Sequence, residues 1–286
     1  MNPFVSKLRD FNELVMFQHS IFSLPFIFIA MIVSANGWFG WQLLLLGVLA
    51  AVSARNFAMG LNRYADRDID AQNPRTQSRP NVDGRLSSES VLAFTLANAA
   101  GFIIVAWFVN TLAFWLSFPI LAVLASYSYF KRFSEMAHLV LGISLGLAPI
   151  AGVVAVQASI PMWAVLLAVG VMFWVAGFDL LYSLQDIDFD QEQGLFSIPS
   201  RYGTEATLFM AALFHAIAVL FWIFFAWDAA LGATGWLAVG FAAGMLWYEH
   251  KIVRRDFSKI DRAFFTINGY LGIVFLILII FDRSLS

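Results

Sequence analysis

Residues 162–190 read MWAVLLAVGVMFWVAGFDLLYSLQDIDFD. From Met162 to Phe178 there is no charged side chain, and about 20 such residues in a helix cross roughly 30 Å of hydrocarbon. The run shows no period-2 alternation, so it reads as a membrane helix and not as a strand of a membrane barrel. It then runs into Asp179, Asp186, Asp188 and Asp190. Working outward, the same reading finds apolar segments near residues 21–35, 41–61, 91–109, 112–130, 139–157, 162–184, 206–227, 231–247 and 264–281. The expectation is an all-α, polytopic membrane protein with nine transmembrane helices.

Composition agrees. Of 286 residues, 60% are hydrophobic and 13% are charged, against about half and a quarter in soluble domains. An ordinary soluble enzyme and a disordered chain are both excluded. A net charge of −2 provides no basic field for nucleic acid, and no protein partner is inferred. With no cysteine there is no disulfide and no thiolate chemistry. Lys7 and Arg9 before an apolar run, with Val33-Ser34-Ala35 after it, give a weak signal-peptide pattern. Asp10 and Glu13 in the basic region, and the amphipathic set Phe11, Leu14, Val15 and Phe17, argue for a membrane span instead.

Basic residues set the orientation. Lys7 and Arg9 precede the first segment; Arg63, Arg67, Arg75, Arg79 and Arg85 follow the second. Lys131 and Arg132 follow the fourth, Arg201 the sixth, and Lys251, Arg254, Arg255, Lys259 and Arg262 the eighth. The intervening turns carry none. The N-terminus and all long loops are expected in the cytoplasm, with the C-terminus outside.

Two acidic segments carry the chemistry. Asn62, Asp66 and Asp70 recur every four residues, each step turning about 40° on a helix, so they form one stripe. Asp186 and Asp190 repeat the pattern, with Asp179 and Tyr182 above them, whereas Asp68 and Asp188 face away. Asp66 to Asp186 and Asp70 to Asp190 are both separations of 120 residues. The chain therefore reads as a single domain over residues 1–286, with two related halves near 1–130 and 131–286. Facing carboxylates repel unless a cation sits between them, and oxygen ligands of this kind suit Mg²⁺. Arg75 and Arg79 lie on the adjacent loop, Lys131 and Arg132 end the fourth segment, and Arg201 follows the second motif. Guanidinium groups match phosphate oxygens, so the set describes a diphosphate site.

These motifs resemble the UbiA superfamily of intramembrane prenyltransferases. The resemblance extends through Asn73-Pro74-Arg75-Thr76, Tyr127-Ser128-Tyr129-Phe130-Lys131-Arg132, Leu141-Gly142 and Gly194-Leu195-Phe196-Ser197 to Gly203, and so covers nearly the whole chain. Within the superfamily the chain is similar to bacterial 4-hydroxybenzoate polyprenyltransferases and to prenyltransferases of the futalosine route to menaquinone. His19 to Pro25 and Ala54 to Met59 are closer to the latter. The resemblance implies nine helices around a central cavity open to lipid, in the bacterial inner membrane. It implies Mg²⁺-dependent transfer from a polyprenyl diphosphate to an aromatic acceptor of quinone biosynthesis. Asn62, Asp66, Asp70, Asp186 and Asp190 would hold the metal. Two alternatives are a cation-coupled transporter and a superfamily member acting on haem, chlorophyll or lipid.

Arg55 lies within hydrocarbon, where an arginine costs about 2.5–3.5 kcal/mol on an insertion scale. It is seven residues before Asn62 and therefore on the same face. Its expected partner is Asp179 or a substrate carboxylate, and with Asp179, Tyr182 and His19 it marks an acceptor pocket. The orientation is checked by single cysteines in this cysteine-free chain. Ser78→Cys, Ser134→Cys and Ser258→Cys should label from the cytoplasmic side, Ser159→Cys and Ser286→Cys from outside. Labelling of positions 78 and 159 from one side would overturn the nine-span topology.

Overall fold

The computed structural model describes residues 3–16, 22 and 24–285, and every element in it is helical. The helices are α1 (Pro3–Leu14), α2 (Leu24–Ala35), α3 (Trp41–Ala65), α4 (Arg67–Asp70), α5 (Ser88–Val109), α6 (Thr111–Phe130) and α7 (Ala137–Gln157). They continue with α8 (Met162–Ser183), α9 (Ile187–Glu192), α10 (Ile198–Asp228), α11 (Ala233–Arg255), α12 (Ile260–Arg262) and α13 (Asn268–Leu285). Seven stretches among the described residues are long and apolar enough to cross a bilayer, against the nine expected. The two differences have simple causes. Helix α2 has only 12 residues, about 18 Å at 1.5 Å per residue. Helix α11 is 23 residues long, but its glycines, Trp247, Tyr248 and charged end dilute its hydropathy.

Helix α8 is the hub. Leu167, Val171, Trp174, Val175 and Leu180 are wholly buried in it, and it packs along both α7 and α10. Lipid offers no hydrophobic drive between helices, so close approach through small residues supplies the packing. At Gly142 of α7 a Cβ would lie 2.3 Å from the Met172 carbonyl oxygen, and at Gly146 one would lie 2.8 Å from that of Ala168. Helix α2 is buried between α7 and α13, where Phe26 meets Trp174, Trp222 and Phe275 at ring separations of 5.0, 5.7 and 5.8 Å. Helices α3, α5 and α6 complete the far side and return to α7. Trp38, Trp41, Trp107, Trp115 and Trp227 stay exposed near the turns, as interfacial indoles do.

Because the atom facing Gly142 belongs to the backbone, it cannot swing aside. Gly142→Leu should lower stability by about 1–3 kcal/mol or more, read as a drop in the detergent-solution melting temperature. Unchanged melting would mean that α7 and α8 cross more loosely.

Candidate functional site

The acidic motifs do not lie on continuous helices. Helix α3 stops at Ala65, and Asp66 has φ −97° and ψ 8°. Helix α8 stops at Ser183, a 3-10 turn follows over Leu184–Asp186, and Asp186 has φ −107° and ψ 9°. Both aspartates then head a short second helix, α4 or α9. The carbonyls freed at the break are satisfied by side chains: Asn81 Nδ2 donates to the Arg63 carbonyl at 3.0 Å, and Arg132 Nη2 to that of Ala65. Unmet groups of this kind are costly. The expected stripe is therefore bent, yet Asp70 N still donates to the Asp66 carbonyl at 2.8 Å. Asp66 and Asp70 are buried, while Asp68 and Asp188 are exposed.

The loop after α4 is fixed by its own polar residues. The Asn73 Oδ1 accepts from Arg75 N at 2.9 Å, and Thr76 Oγ1 donates to the Asp70 carbonyl at 2.9 Å. Its arginines thereby reach both motifs. Arg75 Nε donates to Asp186 Oδ1 at 3.0 Å, its Nη1 to the Tyr182 hydroxyl at 3.2 Å, and Asn73 Nδ2 to Asp186 Oδ1 at 3.4 Å. Arg79 Nη1 lies 2.7 Å from Asp70 Oδ1. Lys131 Nζ lies 2.6 Å from Asp66 Oδ2, which Asn62 Nδ2 also reaches at 2.7 Å. Arg132 holds Asp68 at 2.9 Å and stands 3.6 Å from Asp66. Asp190 has a neutral partner, Ser197 Oγ, at 2.8 Å.

The donor set fits a hard divalent cation. Asp66 Oδ1 and Asp70 Oδ2 are buried without a hydrogen-bond partner among the described residues, which leaves lone pairs for a metal. Burial pushes the Asp66 carboxyl above the ordinary carboxylate value, against the pull of Lys131; more positive charge would be accommodated there. Among the described residues no three acidic or histidine side chains form a cage by themselves.

Below this cap lies a cavity of about 350 Å³, roofed by Asn62, Arg75 and Arg79 and walled by apolar residues down to Val109, Ala113 and Ala155. Arg55, Asp179 and Tyr182 also line it. Arg55 does not pair with Asp179. Its Nη2 donates to the Val15 and Met16 carbonyls at 3.1 and 2.8 Å, and its Nε is buried without a partner among the described residues. Asp179 instead meets His138 Nδ1 at 2.7 Å, because α7 starts against α8 at that level. Arg201 is not among the cap cations. It turns to Glu135 at 3.1 Å and over the Phe196 ring, since its place in the first turn of α10 directs it outward. His19 lies outside the described residues. Asn73, His138 and Ser197 were missed as site residues. Asn73 and Ser197 lie within the motifs quoted above, and Ser197 also belongs to the Ser197…Ser200 pair that caps α10; His138 had no sequence signal.

Comparison with known proteins adds the family. Residues 23–277 match the UbiA prenyltransferase family. The chain belongs to that family. This UbiA prenyltransferase is 30% identical over 245 residues to the 4-hydroxybenzoate octaprenyltransferase of Herminiimonas arsenicoxydans, covering 85% of each chain. It superposes on the apo structure of a UbiA homolog from Aeropyrum pernix with TM-score 0.84 and 34% identity, over 92% of this chain and 98% of the other. A UbiA homolog from Archaeoglobus fulgidus, solved with DMAPP and Mg²⁺, shares the fold at TM-score 0.77 and 19% identity, over 97% and 100% of the two chains.

The geometry ranks the aspartates. Asp66→Asn and Asp186→Asn should each lower prenyl transfer by a factor on the order of 10² or more, the usual effect of removing one charge-stabilising group. Asp68→Asn and Asp188→Asn should stay within a few-fold, since exposed pairs contribute about 0.2–1 kcal/mol. Equal losses at Asp186 and Asp188 in a steady-state assay would refute this ranking.

Proposed function

We propose that this UbiA prenyltransferase transfers a polyprenyl group from polyprenyl diphosphate to the ring of 4-hydroxybenzoate in quinone biosynthesis, with Mg²⁺, at the cytoplasmic face of a bacterial inner membrane. The observation that carries the reading is vertical order: Asn62, Arg75 and Arg79 roof an apolar cavity that Arg55 also lines, and the two arginines reach up to Asp186 and Asp70 of the cap. Arg55 is seven residues before Asn62, so it lies about 10 Å deeper. That depth leaves room for a diphosphate at the cap and an aromatic carboxylate below.

In this reading Arg75, Arg79 and Lys131 exchange their aspartate partners for the diphosphate and neutralise charge gathering on the leaving group. Mg²⁺ held by Asp66, Asp70, Asp186, Asp190 and Asn62 would supply Lewis-acid stabilisation of the same oxygens. The apolar wall keeps water from capturing the allylic cation. The ring carbon ortho to the phenol hydroxyl is the nucleophile, and the prenyl tail runs down the cavity toward lipid. The matched breaks at Asp66 and Asp186 support the reading of residues 1–286 as one unit made of two related halves.

The test is product formation by purified protein with Mg²⁺, a polyprenyl diphosphate and a panel of aromatic acceptors. Prenylated 4-hydroxybenzoate should form, chelation should abolish it, and Arg55→Leu should raise the acceptor KM at least about tenfold, the effect of one charged hydrogen-bond partner. Turnover of only a carboxylate-free acceptor, or an Arg55→Leu enzyme with unchanged acceptor KM, would overturn the acceptor assignment.

A further inference from the structure

Joining a prenyl cation to an aromatic ring leaves one proton to be removed. The C–O bond breaks and its electron pair departs with the diphosphate. A C–C bond then forms from the ring's π electrons, and aromaticity returns when that carbon's hydrogen leaves as a proton. The dryness that protects the cation also excludes water as the base, which leaves the departing diphosphate at the cap or a side chain deeper in the cavity, at the level of the ring. Three of the cap aspartates are committed to cations: Asp66 to Lys131, Asp70 to Arg79 and Asp186 to Arg75.

Asp179 is different. It lies on α8, seven residues before Asp186 and so about 10 Å deeper, at the level proposed for an acceptor ring. It lines the cavity and keeps 20% of its side chain exposed there. Among the described residues no lysine or arginine forms an ion pair with it. Among the described residues its one hydrogen-bond partner is His138 Nδ1 at 2.7 Å, and His138 is 5% exposed with Nε2 buried and unpartnered. An imidazole that donates through Nδ1 fixes the orientation of the carboxylate it faces. We propose that Asp179 is the base that accepts the ring proton and that His138 is the positioning residue that holds its carboxylate toward the acceptor. This inference rests on the aromatic-acceptor reading above.

The experiment compares 4-hydroxybenzoate with its analogue deuterated ortho to the hydroxyl, in the full-length enzyme with Mg²⁺. In the parent enzyme C–O ionisation governs the rate and the isotope effect should be close to unity. Asp179→Asn should lower kcat on the order of 10²-fold, the usual contribution of a general base, and a primary isotope effect should emerge. His138→Leu should show the same isotope effect with a smaller loss. His138→Gln, whose amide can still donate to Asp179, should recover most of the rate and suppress the effect. The KM for the prenyl diphosphate should not change in any variant. A pair that merely ties α7 to α8 would lower melting temperature and leave the isotope effect near unity, which overturns the proposal. If Asp179→Asn does not fold, the His138→Leu and His138→Gln pair decides on the same readout. Failure of the parent enzyme to prenylate any aromatic acceptor is a separate result and would overturn the acceptor reading and this inference together.

Discussion

Carboxylates cannot be gathered at the end of an apolar bundle without cations to answer them, and the cap is built around that requirement. Two unit charges 4 Å apart interact by about 4 kcal/mol where the effective dielectric is near 20, so an unanswered pair would force the bundle apart or take up protons. Here the answers come from other parts of the chain. Lys131 reaches Asp66 from the end of α6, and Arg75 crosses from the loop after the first motif to Asp186 in the second. The Arg75 bond ties the two acidic segments together. Arg75 keeps 38% of its side chain exposed and Asp186 19%, so solvent screens this pair and losing one member costs less than breaking a fully buried one. Under the proposed function, the same ion pairs would hold these cations in place for an anionic leaving group.

That arrangement depends on helices that break on cue. Helix α3 ends at Ala65 and α8 at Ser183, and the short helices α4 and α9 carry Asp70 and Asp190. The breaks at Asp66 and Asp186 re-aim Asp70 and Asp190, and Asn81 and Arg132 satisfy carbonyls that the break releases. Below the cap the demands reverse. The wall is mostly apolar, and two of its polar groups have defined partners: Arg55 the Val15 and Met16 carbonyls, Asp179 His138. Helix α1 therefore belongs to the site as well as to the surface, because the residues that follow it supply the acceptors that let Arg55 remain in the bundle.

The run of apolar segments, the membrane class and the acidic motifs were legible in the sequence because each is a local property. Hydrocarbon thickness fixes segment length, and the four-residue spacing of Asn62, Asp66 and Asp70 places them on one face of any helical turn. The exposure of Asp68 and Asp188 followed from the same spacing, as did the cavity position of Arg55. Local reading was less exact for α2 and α11, where a short helix and a diluted one lie at the limits of hydropathy.

Partner choice was a different matter. Arg55 and Asp179 stand at equivalent places in their helices, and spacing alone matched them with each other. The fold instead puts the Val15 and Met16 carbonyls beside one and His138 beside the other. Arg201 follows the second motif in sequence, yet the first turn of α10 points it at Glu135. Periodicity fixes which face of a helix a residue occupies. Which atoms stand opposite that face depends on how α1, α7 and the loop after α4 pack, and those contacts join residues tens to more than a hundred positions apart. The sequence thus determined the membrane helices, the two acidic motifs and the class of chemistry. Only the tertiary structure decided the ion pairs, the helix breaks and the His138–Asp179 pair, because each depends on groups brought together by packing and not by spacing along the chain.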